Sequence, residues 1–389
     1  MPCSSNTPDP VNQPRLARRD LTARFWRTAS GYWRPPGASE AWLLTAALIG
    51  NTVLQLVLQY RLNYWSRDFF DAFGRRDGPV IRAEAWLFVV LAGSSILVAI
   101  LSVWTRMTTQ RKWRAWLTRL LLDRWLVDKR FHHLHFPPSE DENPEFRIAE
   151  DARVATEAPV NLAAGFLTAL LSAFVFIGVL WNVGGDLDVL VLGYMLTIPK
   201  YLVITVMIYS ALLTLGMTFI GRRMTHVIER KNAAEAQFRS VAISLREFGT
   251  AGPVAGDAPA QQHLLSEAFN DVVRRWRNQC FQVMRTTLVS QGNLLAAPVI
   301  GWLLCAPKYM LDTMSLGEAA QVVAAFVMVQ TALNWLVDNY AGLAECLSSV
   351  HRVASLLLAL DEIEPEGVKT SQGRQYMMSP PLGDSSAPT

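Results

Sequence analysis

Charge is scarce in this chain: Asp, Glu, Lys and Arg make up 18% of its 389 residues, where soluble proteins carry roughly a quarter. What charge there is lies in blocks, between apolar runs of about 20 residues, so a set of soluble domains is excluded. The formal net charge of only +3 implies no global electrostatic partner. The Arg residues flank apolar runs and form no folded basic domain, which excludes nucleic acid. Cysteine is scarce too. Cys3, Cys280, Cys305 and Cys346 are scattered without a CxxC pair, so they read as unpaired thiols and not as a disulfide or zinc framework. No HExxH or GxSxG occurs, and no constellation supports an enzyme. There is no GxxxxGK[ST] either; GVKTSQG (367–373) lacks the first glycine and the spacing of a phosphate cradle. The polar N-terminal segment has no early apolar core, so no cleavable signal peptide is expected.

What is present is apolar surface: 51% of residues are hydrophobic, 13 are Trp, and the mean hydropathy is +0.19. Trp concentrates where a membrane meets water. Six stretches are long enough to cross a hydrocarbon core of about 30 Å as helices: 41–60, 84–105, 160–182, 189–220, 283–306 and 317–345. Pro199 marks an interfacial break near the start of the fourth. The chain reads as an all-α, polytopic membrane protein.

Lys and Arg set the orientation. Segment 106–159 holds ten, 221–285 another ten, and the residues before 41 hold six Arg. On the opposite side, 183–200 has only Lys200 and 307–316 only Lys308, while the five Arg of 61–83 are partly offset by three Asp. Both termini and the two long basic segments are therefore expected in the cytoplasm. Those segments look helical: Trp113, Trp116, Leu120, Leu121, Trp125 and Leu126 recur at helical spacing, and 221–248 continues the fourth span similarly. Residues 15–34 alternate Arg with Leu, Phe and Trp, as an amphipathic helix on the inner surface would; a disordered basic tail is the other reading.

Polar residues inside the spans are costly in lipid and face a cavity or a partner helix. Asn51, Gln55, Gln59, Gln291, Asn293, Gln330, Asn334 and Asp338 are the candidates for lining a substrate pathway. Gln330, Asn334 and Asp338 stand four apart and share a helix face. Hydrogen bonding between helices explains them equally well. Asp338, the ionisable member, is the candidate for a proton-linked group. His132, His133 and His135 form a tempting cluster, but no carboxylate stands at ligand spacing, so no metal is expected.

Three stretches carry a resemblance. LNYWSRDFFDAFGRRD (62–77) is similar to an external loop, RKWRAWLTRLLLDRWL (111–126) to a WRxWLT helix, and ENPEFRIAED (142–151) to an NPDQRIxED signature. All belong to the transmembrane half of ABC transporters of the peroxisomal acyl-CoA (subfamily D) type and their bacterial SbmA/BacA-like relatives. The resemblance covers about residues 15–360. It implies an exporter-type domain of six spans with long cytoplasmic extensions, working as a homodimer in the bacterial inner membrane. In 62–77, Arg67, Asp68 and Asp71 are expected to tie the ends of the first two spans together, with the rings at the interface; an ordinary aromatic belt is the competing reading.

In the family, the cytoplasmic tip between spans 2 and 3 contacts the nucleotide-binding domain. That makes Asn143, Pro144, Arg147, Glu150 and Asp151 coupling-tip candidates, though an Asn-Pro helix start followed by acidic residues also fits a simple cap. A second coupling segment of the family, RxNAExIAFYxGExxE, is degraded here to LREFGTAGPVAGDAPAQQHLL (245–265). Its Gly249, Gly252, Pro253, Gly256 and Pro259 are expected to break the helix. ATP would then act only through a separate nucleotide-binding partner, unless transport is proton-driven.

The expected organisation is an N-terminal tail and interfacial helix (1–40), a six-helix domain (41–350) and a largely disordered cytoplasmic tail (351–389). The expected function is a permease for a peptide, a cobalamin-like molecule or an acyl substrate. The alternative is a non-transporting remnant or scaffold.

Overall fold

The structure, a computed structural model, describes residues 18–35, 38–127, 144–191, 194–250 and 258–362. A short helix α1 (Arg18–Ala29) and a 3-10 turn (Ser30–Trp33) precede two long helices, α2 (Ala38–Arg75) and α3 (Gly78–Leu126). The turn α4 (Pro144–Phe146) and a π-helical turn (Arg147–Asp151) lead into α5 (Ala152–Gly184). A hairpin of β1 (Leu187–Val191) and β2 (Tyr194–Ile198) follows, with Leu187 opposite Ile198 and Val191 opposite Tyr194. The chain continues as α6 (Tyr201–Thr250), α7 (Ala258–Met310), α8 (Leu316–Asp338) and α9 (Tyr340–Glu362).

Six helical segments are long and apolar enough to cross a membrane. At 1.5 Å per residue, α3, α6 and α7 run for about 75–80 Å, more than twice a hydrocarbon core. The long extensions expected from the basic segments are therefore helical. The fourth span begins at Tyr201, not at 189. Val189, Val191, Thr197 and Ile198 favour strand, and Pro199 disfavours helix just ahead of it. Lys200 turns the chain with φ 49°, and its N–H donates to Asp186 Oδ1 at 3.1 Å. That hydrogen bond holds the Asp186 carboxyl below its ordinary range.

The expected loop at 61–83 is absent. Helix α2 runs on to Arg75 and reverses in two residues. Arg76 adopts φ 57°; its N–H donates to the Phe73 carbonyl at 3.1 Å and that of Asp77 to Ala72 at 3.0 Å, closing the helix end. Asp77 then accepts from the Val80 N–H at 3.3 Å and caps α3.

Within α2, two four-residue rows sit two residues out of phase, which at 100° per residue puts them on opposite faces. Trp65, Phe69 and Phe73 stack along one row, with centroids 5.1 and 6.5 Å apart. Trp65 also meets Phe88 of α3 and donates its N–H to the Glu84 carbonyl at 2.8 Å. Asn63, Arg67 and Asp71 form the other row, and it docks on the start of α8. Asn63 donates to the Gln321 carbonyl at 3.0 Å, Arg67 pairs with Glu318 at 3.1 Å, and Asp71 accepts from the Gly317 N–H at 2.8 Å. The expectation that Arg67, Asp68 and Asp71 join the first two spans is thus corrected. Arg67 and Asp71 bind α2 to α8, Trp65 binds it to α3, and Asp68 is exposed.

Ser315 and Glu318 cap α8 reciprocally: the Glu318 N–H donates to Ser315 Oγ and the Ser315 N–H to Glu318 Oε2, both at 3.0 Å. Half of the most apolar window of the segment beginning at Leu316 is buried, against at most 22% in the other five.

The contacts divide the described residues into two compact units. In the unit drawn from Met1–Gln55, Ser94–Leu167 and Asn339–Thr389, the core comprises Phe25, Trp113, Leu117, Leu121, Val353 and Leu357 with their neighbours. Helix α1 buries Phe25 and Ala29 completely there, so it is docked on the chain and does not simply rest on a bilayer. Arg24 and Arg124 both pair with Asp361. The C-terminal tail expected from 351 begins later, because α9 continues to Glu362 and buries Val353, Ala354, Leu356, Leu357 and Leu360. In the unit drawn from Leu56–Gly93 and Thr168–Asp338, the core comprises Phe176, Leu180, Leu202, Val206, Phe326 and Val329 with their neighbours. Among the described residues, Cys280, Cys305 and Cys346 are free, as expected.

Gly317 lies against the Arg67 carbonyl oxygen and the Asp71 carboxylate, and a Cβ there would overlap both. Gly317→Ala should cost about 3 kcal/mol, at the upper end for overpacking, read as a lower melting temperature in detergent. Gly216→Ala, where an added Cβ meets nothing within 4 Å, should be neutral or stabilise by about 0.5–1 kcal/mol.

Candidate functional site

A polar cleft in the second unit gathers side chains from three helices. Helix α6 supplies Leu213 and Met217, α7 Ser290 and Asn293, and α8 Gln330, Thr331, Asn334, Val337 and Asp338. Polar side chains in such apolar helices need partners, and α6 provides two. Tyr209 donates its hydroxyl to Asn293 Oδ1 at 2.8 Å, and Thr214 donates to Asn334 Oδ1 at 3.0 Å. These bonds hold both amides at the cleft wall. Gln330 and Asn334 are buried, whereas Asp338 is exposed at the end of α8. The cavity measures about 70 Å³, room for a few waters. It can pass water or a small ion. Asp338 is its one ionisable lining residue.

Four of the pathway candidates thus meet: Asn293, Gln330, Asn334 and Asp338. The others do not. Gln291 is exposed, because two residues along α7 turn it about 200° from Asn293. Asn51 is buried in the first unit and donates to Thr105 Oγ1 at 3.2 Å, a bond between α2 and α3. Gln55 and Gln59 are half-buried and do not line the cleft. The sequence reading missed Tyr209, Thr214, Ser290 and Thr331. Ser290 and Thr331 each lie within a turn of a residue it singled out, the signal that could have found them.

The second constellation is ENPEFRIAED. Asn143, His132, His133 and His135 lie outside the described residues, and the described ones contain no group of His, Cys, Asp and Glu fit to hold a metal. Pro144 opens α4, the position where a missing N–H costs nothing. The π turn then directs Arg147 and Asp151 inward onto α9. Arg147 donates to Ser355 Oγ at 2.8 Å. Arg352 grips Asp151 with two bonds of 2.8 and 2.5 Å, and the Asp151 side chain is 1% exposed. Glu150 pairs with Arg153, which also reaches Glu157 at 2.9 Å. Of this tip, the surface open to another molecule is Glu145, Phe146 and Ala149. Arg147 and Asp151 are positioning residues, and their partners Arg352 and Ser355 were not found from the sequence. The expected break at 245–265 also narrows. Residues 245–250 are helical in α6 and 258–265 in α7, while 251–257 lie outside the described residues.

The profile of the family described as ABC transporter transmembrane region 2 matches residues 32–310. The chain belongs to that family. The match to the ABC transporter transmembrane region 2 profile stops where α7 ends, so α8 and α9 lie beyond it. Relatives agree. The inner membrane ABC transporter ATP-binding protein YddA of Escherichia coli (strain K12) is 24% identical over 340 residues, 87% of this chain and 61% of its own. ABC transporter D family member 2, chloroplastic, of Arabidopsis thaliana is 21% identical over 361 residues, 92% of this chain and 49% of its own. An uncharacterised ABC transporter ATP-binding protein of Haemophilus influenzae is 22% identical over 303 residues, 77% and 50%. The chain therefore spans between half and three fifths of these relatives. It is a multi-pass membrane protein of this transmembrane family.

Truncating Asp151 leaves the Arg352 guanidinium facing a buried site with no acceptor. Asp151→Ala should lower stability by about 2 kcal/mol or more, measured by thermal unfolding in detergent. Removing both charges, as Asp151→Ala with Arg352→Met, should restore most of the loss.

Proposed function

We propose that the chain is the permease of an ABC-type, SbmA/BacA-like transporter, working as a homodimer in the bacterial inner membrane with both termini cytoplasmic. The family match over residues 32–310, which takes in the whole of α2 to α7, carries this reading. The Lys and Arg of 106–159 and 221–285 support the orientation. A cleft of about 70 Å³ cannot enclose a peptide, a cobalamin-like molecule or an acyl chain. Such a substrate would pass between two copies, with the cleft as part of the wall.

Two energy sources are open to such a permease. A separate ATP-binding subunit fits the names of the relatives, each an ABC transporter and two of them called ATP-binding. Proton coupling fits Asp338 on the cleft beside Asn334 and Gln330. The departure at 245–265 from the family's second coupling segment favours the proton. A non-transporting remnant or scaffold is the alternative.

Purification from native membranes in mild detergent, with mass spectrometry of stoichiometric partners, tests the choice. A co-purifying ATPase supports the split transporter. A homodimer without one shifts the weight to proton-driven uptake, which proteoliposomes under an imposed pH gradient then assay with peptide, cobalamin and acyl substrates. Asp338→Asn should reduce such uptake by at least about tenfold, as loss of a proton-carrying group does. Unchanged uptake in that variant removes Asp338 from the mechanism, and no uptake in the wild-type chain leaves the scaffold reading.

A further inference from the structure

A second cavity of about 590 Å³ opens on the first unit between α3 and α5. Its wall is one face of α3, where Arg111, Arg114 and Arg119 surround the small side chains of Ala115 and Thr118. The short residues make the hollow, and the long ones give it charge. Gln110 forms its hinge with α5, donating to the Glu157 carbonyl at 3.0 Å and to Asn161 Oδ1 at 2.8 Å.

The charges do not cancel. Glu157 is the one carboxylate on the cavity, and it is shared by Arg114 at 3.4 Å and Arg153 at 2.9 Å. Arg111 and Arg119 are exposed and have no carboxylate partner among the described residues. Exposed guanidinium groups around a hollow suit a phosphate, which they bind through paired N–H donors.

The cavity's height on the helices tells which phosphate. The apolar stretch of α3 ends near Thr105, and that of α5 begins near Val160. Gln110 joins the two helices at that level, so the cavity starts where hydrocarbon gives way to the headgroup layer. Met107 lines its membrane end and is 61% exposed, as is Trp104 one turn further into the span. An apolar lip leading to a cationic hollow matches a molecule with acyl chains below and a phosphate above.

We propose that this cavity binds the headgroup of an anionic phospholipid, with Arg111 and Arg114 on the phosphate and Arg119 reaching further polar groups of the head. Basic pockets between spanning helices bind such headgroups elsewhere. The site clamps α3 to α5 one to two turns from the π turn, and lipid bound there steadies the packing of the first unit. Which leaflet it serves follows from the orientation proposed above; the binding does not depend on it, or on transport.

The test is native mass spectrometry of the full-length chain, delipidated in detergent and titrated with phosphatidylglycerol, cardiolipin or phosphatidylcholine. Wild type should retain the two anionic lipids over phosphatidylcholine. Arg111→Gln with Arg119→Gln should weaken that retention by about tenfold, with unchanged size-exclusion behaviour and melting temperature in lipid-free detergent. A second variant, Arg111→Lys with Arg119→Lys, keeps the charge and should fall in between. Equal retention by wild type and the Gln variant would overturn the proposal, since the lipid would then be a general annulus. Displacement of bound lipid by millimolar inorganic phosphate or glycerol phosphate would overturn it too, in favour of a soluble phosphate ester. So would exclusion of lipid by an acidic peptide that binds the same arginines.

Discussion

The docking of α2 on the first turn of α8 is the contact on which the second unit depends most. Three side chains spaced by four residues meet three consecutive features of another helix start: a backbone N–H, a capping carboxylate and a carbonyl. Gly317 lets the two backbones come this close. Glu318 serves two purposes, closing the cap on Ser315 and receiving Arg67. The start of the helix that carries Gln330, Asn334 and Asp338 is thus fixed by the end of α2. The polar row that looked like a loop is a seam.

Polar groups within these helices divide into those consumed by the fold and those left to act. Asn51, Asn63 and Thr214 spend their hydrogen bonds on neighbouring helices. In low dielectric each such bond removes an expensive orphan, so it fixes helix position more than it adds net stability. Asn293, Gln330, Asn334 and Asp338 differ in facing a common space. The same division holds in the first unit. Asp151 and Arg147 are absorbed by α9, while Arg111 and Arg119 remain available.

Much of this was legible in the sequence, for definite reasons. Six spans and their extensions follow from the lengths of apolar runs, and the α8 row from the spacing of Gln330, Asn334 and Asp338, which a helix converts directly into adjacency. Periodicity also held the meaning of 62–73, since Asn63, Arg67 and Asp71 share a face; but spacing alone does not name the partner. Glu318 and Gly317 are some 250 residues away in sequence, as Arg352 is 201 residues from Asp151. Such pairings come from topology. Local chemistry misled at Arg76, because a left-handed helix end carried by arginine looks like nothing in particular, so two residues of turn were read as a long loop. At 351–362 the low charge of SLLLALDE was the missed signal, since a solvated tail has no reason to carry consecutive leucines.

The π turn at Arg147–Asp151 places one residue more in its turn than an α-helix would. Substitutions and deletions there are therefore different events. Exchanging a side chain alters one contact. Deleting any one residue of the turn lets the ladder revert to regular α-helix and turns all that follows by about 100°. Glu157 and Asn161 would leave Gln110, and Arg153 would leave the hollow's edge, though none of them had been changed. The chain's length between Pro144 and Ala152 is as much a part of its specification as the identity of any residue within it.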